Sequence, residues 1–339
     1  MTIIGRGTTS PVTKVPLRST YIPGRWESIP PRGDASNPAA SFGGWARRAT
    51  ARLLQSTETE NQNVNPRDYF TVTKDDVSLD PFPHVFKQPF LQPELFQRLK
   101  AEFPADELFD GNSSRGGRAG RDLYPGDEPY ARLLESSPAW REFANFVDSP
   151  GYVDLILELF GDQLANFGCL ASPERIRYRH YIESRDELAE ESTRVSRVVA
   201  RIRDGIGLGH DQHDPNDVFV RMDIGQGAVG YAKPVHCDRP NRLSSMLIYF
   251  CDKQEIGMEG GNLRIHKHKA KKAIDQYERH PKEENTIVVA DIEPRENLGG
   301  MFIGCNISYH SATAVTRADH YRNFVYTSVA SRSSRLWRS

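Results

Sequence analysis

The stretch Tyr231–Asp238, YAKPVHCD, decides how this sequence is read. It runs out of a strand-like segment into His236, Cys237 and Asp238. Side chains on a strand alternate with a period of two, so an H-x-D at a strand end sends the imidazole and the carboxylate out on the same side. Two ligands for one metal then sit on one short piece of backbone. Taken alone, the triplet also fits a surface His and Asp beside a turn. The chain that follows weighs against that reading. It holds an apolar strand at Ser244–Phe250 (SSMLIYF), a Gly-Gly turn and strand at Gly260–His266 (GGNLRIH), a strand Met301–His310 (MFIGCNISYH) ending in a third candidate ligand, and Arg322 at the head of RNFVYTSVA. Two imidazoles and one carboxylate with open coordination positions suit non-haem Fe(II).

That order of parts resembles the 2-oxoglutarate and Fe(II)-dependent oxygenases. HCD, LIYF, GGNLRIH, ADIEP (Ala290–Pro294) and the segment from His310 to Arg322 are most similar to the prolyl-hydroxylase-type branch, over residues 219–330. The resemblance implies an α+β, mainly β fold. This would be a double-stranded β-helix, a jelly-roll or cupin-like barrel with a supporting helical layer and a metal at its mouth. It implies that His236, Asp238 and His310 are catalytic and hold Fe(II), with 2-oxoglutarate as cosubstrate, O2 as oxidant and ascorbate as a stimulant. Arg322 would clamp the distal carboxylate of 2-oxoglutarate, because a planar guanidinium holds a carboxylate through paired hydrogen bonds. It follows His310 by twelve positions, a wider gap than the family's usual one, while Arg317 falls short. Tyr231 and Leu263 match family positions near the metal and cosubstrate, and both also suit ordinary barrel core.

Asp238 stands where halogenating relatives carry a small residue. The resemblance therefore implies a dioxygenase that hydroxylates an unactivated C–H bond, or desaturates or cyclises, while 2-oxoglutarate becomes succinate. A peptidyl (prolyl-type) hydroxylase, a non-catalytic cupin-like barrel using the same ligands for zinc, and a metal-free binding protein stay open as alternatives. For the substrate, three cations flank the motif: Arg221 on the incoming strand, Lys233 just before the H-x-D and Arg239 just after it. Strand parity counted from His236 turns all three away from the metal, towards a solvated rim. Pro234 and Pro240 can break that parity, and the three cations would then bind a small-molecule substrate carrying a carboxylate, such as an amino acid or acidic metabolite.

Composition narrows the classes. Lys plus Arg (44) nearly cancel Asp plus Glu (45) in 339 residues, so no basic field marks the chain for nucleic acid. No apolar run approaches the roughly 18 residues of a membrane span, and no secretory apolar core opens the chain. A soluble, cytoplasmic protein is expected. Cys169, Cys237, Cys251 and Cys305 lack paired spacing and read as buried free thiols in a reducing compartment.

Three regions are expected: an extended or disordered arm over 1–65, strands and helices over 66–205 that pack on the barrel, and the oxygenase core over 206–332. The arm is rich in Gly, Pro, Ser, Thr and Arg and offers a helix only at Gly43–Gln55. Apolar spacing predicts helices over Gln92–Pro104, Pro129–Val147 and Ser149–Phe160. Gly111–Asp127, Gly/Arg-rich and without a P-loop pattern, reads as a surface loop. Arg175–Tyr181 alternates like a strand, and Glu183–Gly205 reads as a solvated one-sided helix. His210, Asp211, His213 and Asp214 form a rival metal cluster, but their Gly, Pro and Asn neighbours say loop, lining the substrate entrance. His266 and His268 are expected to be solvated.

Overall fold

The computed structural model describes residues 65–111, 118–185, 187 and 213–339, which all lie in one compact unit. The arm as far as residue 64, the helix at Gly43–Gln55, nearly all of the Glu183–Gly205 helix, the boundary near Ile206, and His210 with Asp211 fall outside the described residues.

Ten strands appear among the described residues: β1 (His84–Lys87), β2 (Arg118–Leu123), β3 (Arg177–Tyr178), β4 (Asp217–His236), β5 (Arg242–Tyr249), β6 (Leu263–His268), β7 (Thr286–Ile292), β8 (Gly299–Ile303), β9 (His310–Ala312) and β10 (Arg322–Ser331). The long β4 belongs to two sheets. Its first half pairs with β10 from Val218 to Gly227, and its end pairs with β9. One sheet then runs β1-β8-β5-β10-β4 and the other β4-β9-β6-β7, with every one of these pairings antiparallel. From β5 onward the chain crosses to the second sheet for β6 and β7, returns for β8, crosses for β9 and returns for β10. This winding of one chain between two facing sheets is the double-stranded β-helix, a jelly roll.

Four helices cover the outer face of the first sheet: α1 (Pro93–Ala101), α2 (Glu128–Ser136), α3 (Pro138–Val147) and α4 (Pro150–Leu164). Their apolar stripes explain why they dock there. Leu95, Phe96 and Leu99 are buried on α1, and Phe96 stacks on Phe250 with centroids 4.9 Å apart. Tyr152, Leu155, Ile156 and Leu159 are buried on α4, whose Tyr152 hydroxyl meets Thr327 Oγ1 of β10 at 2.6 Å. The shared core takes side chains from the helices and from the outward face of β4, β5, β8 and β10, among them Val220, Met222, Ile224, Val325 and Val329. It leaves the inward face of the same strands for the cavity. All four cysteines are free and buried. No described helix is long and apolar enough to cross a membrane.

Several elements depart from the sequence reading. Pro129–Val147 is two helices, because Pro138 cannot donate to the helical ladder and disfavours helix at Ser137, which instead caps α3 by accepting from Trp140 N at 3.2 Å. Met301–His310 is not one strand but β8 and β9 in different sheets. The break lies at Gly304, where a Cβ would come 2.5 Å from the Arg242 carbonyl oxygen. The Gly/Arg-rich loop supplies β2, which adds to β4 with Asp122 opposite Gly225 and Leu123 opposite Ile224. Of Arg175–Tyr181 only Arg177 and Tyr178 are strand, parallel to Asp217 and Val218.

Candidate active site

His236 ends β4, Asp238 follows it by two residues, and His310 opens β9 directly opposite His236 in the ladder. The sheet pairing alone therefore brings the three side chains together. One ligand atom from each lies within 4.8 Å of the others, the rings of His236 and His310 are 4.3 Å apart, and His310 Nε2 is 3.9 Å from Asp238 Oδ1.

The hydrogen bonds around the trio fix which atoms face inward. His236 Nδ1 lies 2.8 Å from the Pro234 carbonyl oxygen and His310 Nδ1 lies 2.9 Å from that of Ser308. A carbonyl can only accept, so each Nδ1 carries the proton and each Nε2 keeps its lone pair for a metal. Asp238 accepts from Ser245 Oγ through Oδ2 at 2.6 Å, and Ser245 Oγ is 3.0 Å from the Tyr326 hydroxyl. That leaves Oδ1 turned towards the imidazoles. Burial, and then the neighbouring His310, bring His236 down to about 3. Burial likewise lowers His310. Burial opposes the charge of Asp238, yet His310, His236, the Ser245 hydroxyl and Lys233 together bring its carboxyl down to about 2. Two neutral imidazoles and an ionised carboxylate are the protonation states a divalent cation requires, so the residues present fit Fe(II).

These three residues open onto a cavity of about 720 Å³ between the two sheets. Arg322 closes one end of it and is 1% exposed. Its Nε donates to the Gly261 carbonyl at 2.9 Å and its Nη2 to the Tyr249 hydroxyl at 2.9 Å, while Nη1 is buried without a partner. The rings of Tyr249, Phe324 and Tyr231 lie 4.8, 5.1 and 5.3 Å from the guanidinium carbon. The Gly-Gly turn makes this cradle possible, because Gly260 has φ +76° and a Cβ there would collide with Ala314 O. A buried, permanently charged group with a vacant donor is a place for an anion. Arg317, by contrast, is largely exposed and pairs with Glu259 at 3.3 Å. Tyr231 and Leu263 are both buried and both line the cavity.

The three flanking cations are not where strand parity put them. Arg221, Lys233 and Arg239 all line the cavity. Lys233 pairs with Ala312 but His236 pairs with His310, so β4 carries one extra residue between them. This bulge beside Pro234 reverses the alternation upstream of His236 and Asp238. Arg221 is already engaged: Nη1 pairs with Glu183 at 3.0 Å and Nη2 with Asp223 at 3.1 Å. Glu183 also holds Arg242 at 3.0 Å. His266 is buried rather than solvated, with Nε2 2.8 Å from Ser311 Oγ. The side chain of His268 is 10% exposed. Of the rival cluster, Asp214 pairs with Arg177 at 2.9 Å and accepts from the Asn216 backbone N–H, which are structural tasks.

Sequence reasoning missed Ser245, Asp223, Glu183, Asp122 of β2 and Tyr124, which follows that strand. None sits in a recognisable pattern. Ser245 lies within the strand quoted after the H-x-D, which was the signal that could have found it.

No family model matches the chain, and no curated protein does. Among solved structures it is similar to a prolyl-4-hydroxylase from Pseudomonas putida, with 16% identity over 76% of this chain and 96% of the other and a TM-score of 0.38. A prolyl hydroxylase from Trichoplax adhaerens, in complex with a peptide fragment of hypoxia inducible factor, matches at 11% identity over 84% of this chain and 92% of that one, TM-score 0.32. The non-haem α-ketoglutarate-dependent carbocyclase SnoK from nogalamycin biosynthesis matches at 11% identity over 77% and 86%, TM-score 0.40. At such values these are likenesses only, and the site's own geometry has to carry its chemistry.

Proposed function

We propose that this chain is a 2-oxoglutarate- and Fe(II)-dependent dioxygenase acting on a small molecule. The observation that carries the proposal is the pairing of a preset ligand trio, His236, Asp238 and His310, with the buried vacant Nη1 of Arg322 in one cavity. When bound, Fe(II) with 2-oxoglutarate supplies the oxidant: O2 and a substrate C–H are converted to C–OH as 2-oxoglutarate is split to succinate and CO2.

In this reading His236 and His310 bind through Nε2 while their Nδ1 protons stay on backbone carbonyls, so the rings cannot rotate out of position. Asp238 binds through Oδ1 while Ser245 holds Oδ2. Arg322 receives the distal carboxylate, and Tyr249, hydrogen-bonded to the same guanidinium, orients it. The rings of Tyr231 and Phe324 keep water from that end and strengthen the charge pair. Leu263 adds apolar wall. The buried free thiols accord with a reducing, cytoplasmic setting, in which iron stays ferrous.

The test is direct. Fe(II) and 2-oxoglutarate added without air should give a weak, broad visible band, and air should then release succinate. A protein that binds zinc and never gives the band would be a metal-binding barrel instead.

A further inference from the structure

Seven Lys and Arg side chains line the cavity against three Asp. Most of these cations already have partners. Arg221 and Arg242 share Glu183, Arg221 also takes Asp223, and Arg185 takes Asp122 at 2.7 Å and Asp127 at 2.6 Å. Arg322 is committed to the cosubstrate under the proposed function. Lys233 differs from all of these. It makes no ion pair among the described residues; its ammonium lies 5.8 Å from the centroid of the Tyr326 ring, and Tyr231 and Asp238 act on its charge without contacting it as partners.

The backbone explains how it got there. The bulge after Lys233 turns its side chain inward, on the same strand as His236 and three residues before it. Its charge is felt at all three candidate ligands, lowering His236, Asp238 and His310 alike. A cation placed there repels the metal, so it does nothing for metal binding. Its burial disfavours its own charge, and although Tyr231, Tyr326 and Asp238 offset this at a distance, none of them forms an ion pair with it. Such a group is stabilised when an anion enters the cavity.

We infer that Lys233 is a substrate-positioning residue and that the substrate is a small anion, a carboxylate or a phosphate monoester, whose charged group docks on the Lys233 ammonium. This rests on the proposed function and names the substrate class of the same cavity. Because Lys233 and His236 are close neighbours on one strand, the carbon that is oxidised lies near the anionic group. Arg221, held on two sides by Glu183 and Asp223, shapes the wall instead of binding the charge.

The experiment measures succinate release from iron-loaded full-length protein with a panel of small carboxylates and phosphate monoesters, each beside its neutral methyl ester or parent alcohol. The anaerobic visible band of the wild type is read first, and its absence fails the oxygenase reading itself. With the band present, at least one acid should stimulate succinate release tenfold or more over its neutral counterpart, and the arm of the panel that responds tells carboxylate from phosphate. Lys233→Gln should cut that preference at least tenfold, and Lys233→Arg should keep most of it. A panel in which neutral compounds stimulate as well as acids, or in which no acid stimulates, overturns the inference. So does a Lys233→Gln variant whose KM for 2-oxoglutarate rises as much as that for the acid, which would place Lys233 with the cosubstrate.

Discussion

His236 and His310 are direct partners across β4 and β9, their rings 4.3 Å apart and each anchored through Nδ1 to a backbone carbonyl two residues before it. The ladder itself therefore sets the spacing of two candidate metal ligands, and removing one side chain should not disturb the other. Single substitutions His236→Ala, Asp238→Ala and His310→Ala should each abolish turnover and lower iron content, with the circular dichroism of the wild type retained. Full iron and activity in all three would refute the metal centre.

Arg322→Lys keeps the charge but loses the planar fork. It should raise the KM for 2-oxoglutarate, and Arg322→Ala should raise it further, by about 30-fold for the roughly 2 kcal/mol of a charge-assisted hydrogen bond. Iron binding should change less. Arg317→Ala, at an exposed ion pair, should leave the KM where it is. The reverse pattern would move the role to Arg317.

Ser245→Ala removes the hydrogen bond to Asp238 Oδ2 and frees the carboxylate to rotate. Iron affinity should fall by about 10- to 100-fold, the usual cost of losing such an outer partner. Competitive titration with a chelator reads this directly, and an unchanged affinity would mean that packing alone holds Asp238.

Glu183, buried between Arg221 and Arg242, ties the cavity wall together. Glu183→Ala would leave the buried Arg242 without its carboxylate and Arg221 with Asp223 alone, and should destabilise the fold by about 3–5 kcal/mol, roughly a 10 °C fall in Tm. Burial opposes the charge of Glu183, but Arg242 and Arg221 outweigh it and its pKa is lowered. A lowered carboxylate pKa gives stability that is present above the unfolded value and lost as pH falls through the folded one. Acidification below about 4.5 should therefore cost the wild type stability that Glu183→Gln never had, and the two Tm curves should converge at low pH. Parallel curves would sink this assignment.

The barrel and the clustering of His236, Asp238 and His310 were legible because both depend on local pattern. An H-x-D at a strand end and apolar runs of strand length survive in the sequence whatever surrounds them. Strand parity alone misplaces Lys233, because one extra residue in β4 reverses it; Pro234 hinted at such a break, and the pairing with β9 locates it. β2 was read as loop because RAGRDL has poor strand propensity, and its pairing comes from the exposed edge of β4. Met301–His310 read as one strand because nothing in the segment announces a change of sheet, and Gly304 acquires its meaning only against Arg242. Glu183 and Asp223 matter through partners that lie far away in the chain, which no single-sequence pattern records.

Two strands show how the molecule keeps its chemistry from interfering with its folding. Along β10, Arg322, Phe324 and Tyr326 face the cavity, whereas Val325, Thr327 and Val329 face the helices; along β4, Arg221, Asp223 and Gly225 alternate in the same way with Val220, Met222 and Ile224. Gly225 leaves room for the Phe324 ring, which a Cβ there would meet at 2.5 Å. Stability and specificity are thus written in alternate letters of the same words. A library that varies only the cavity-facing letters can search for new substrates without rewriting the half of each strand that holds the helices.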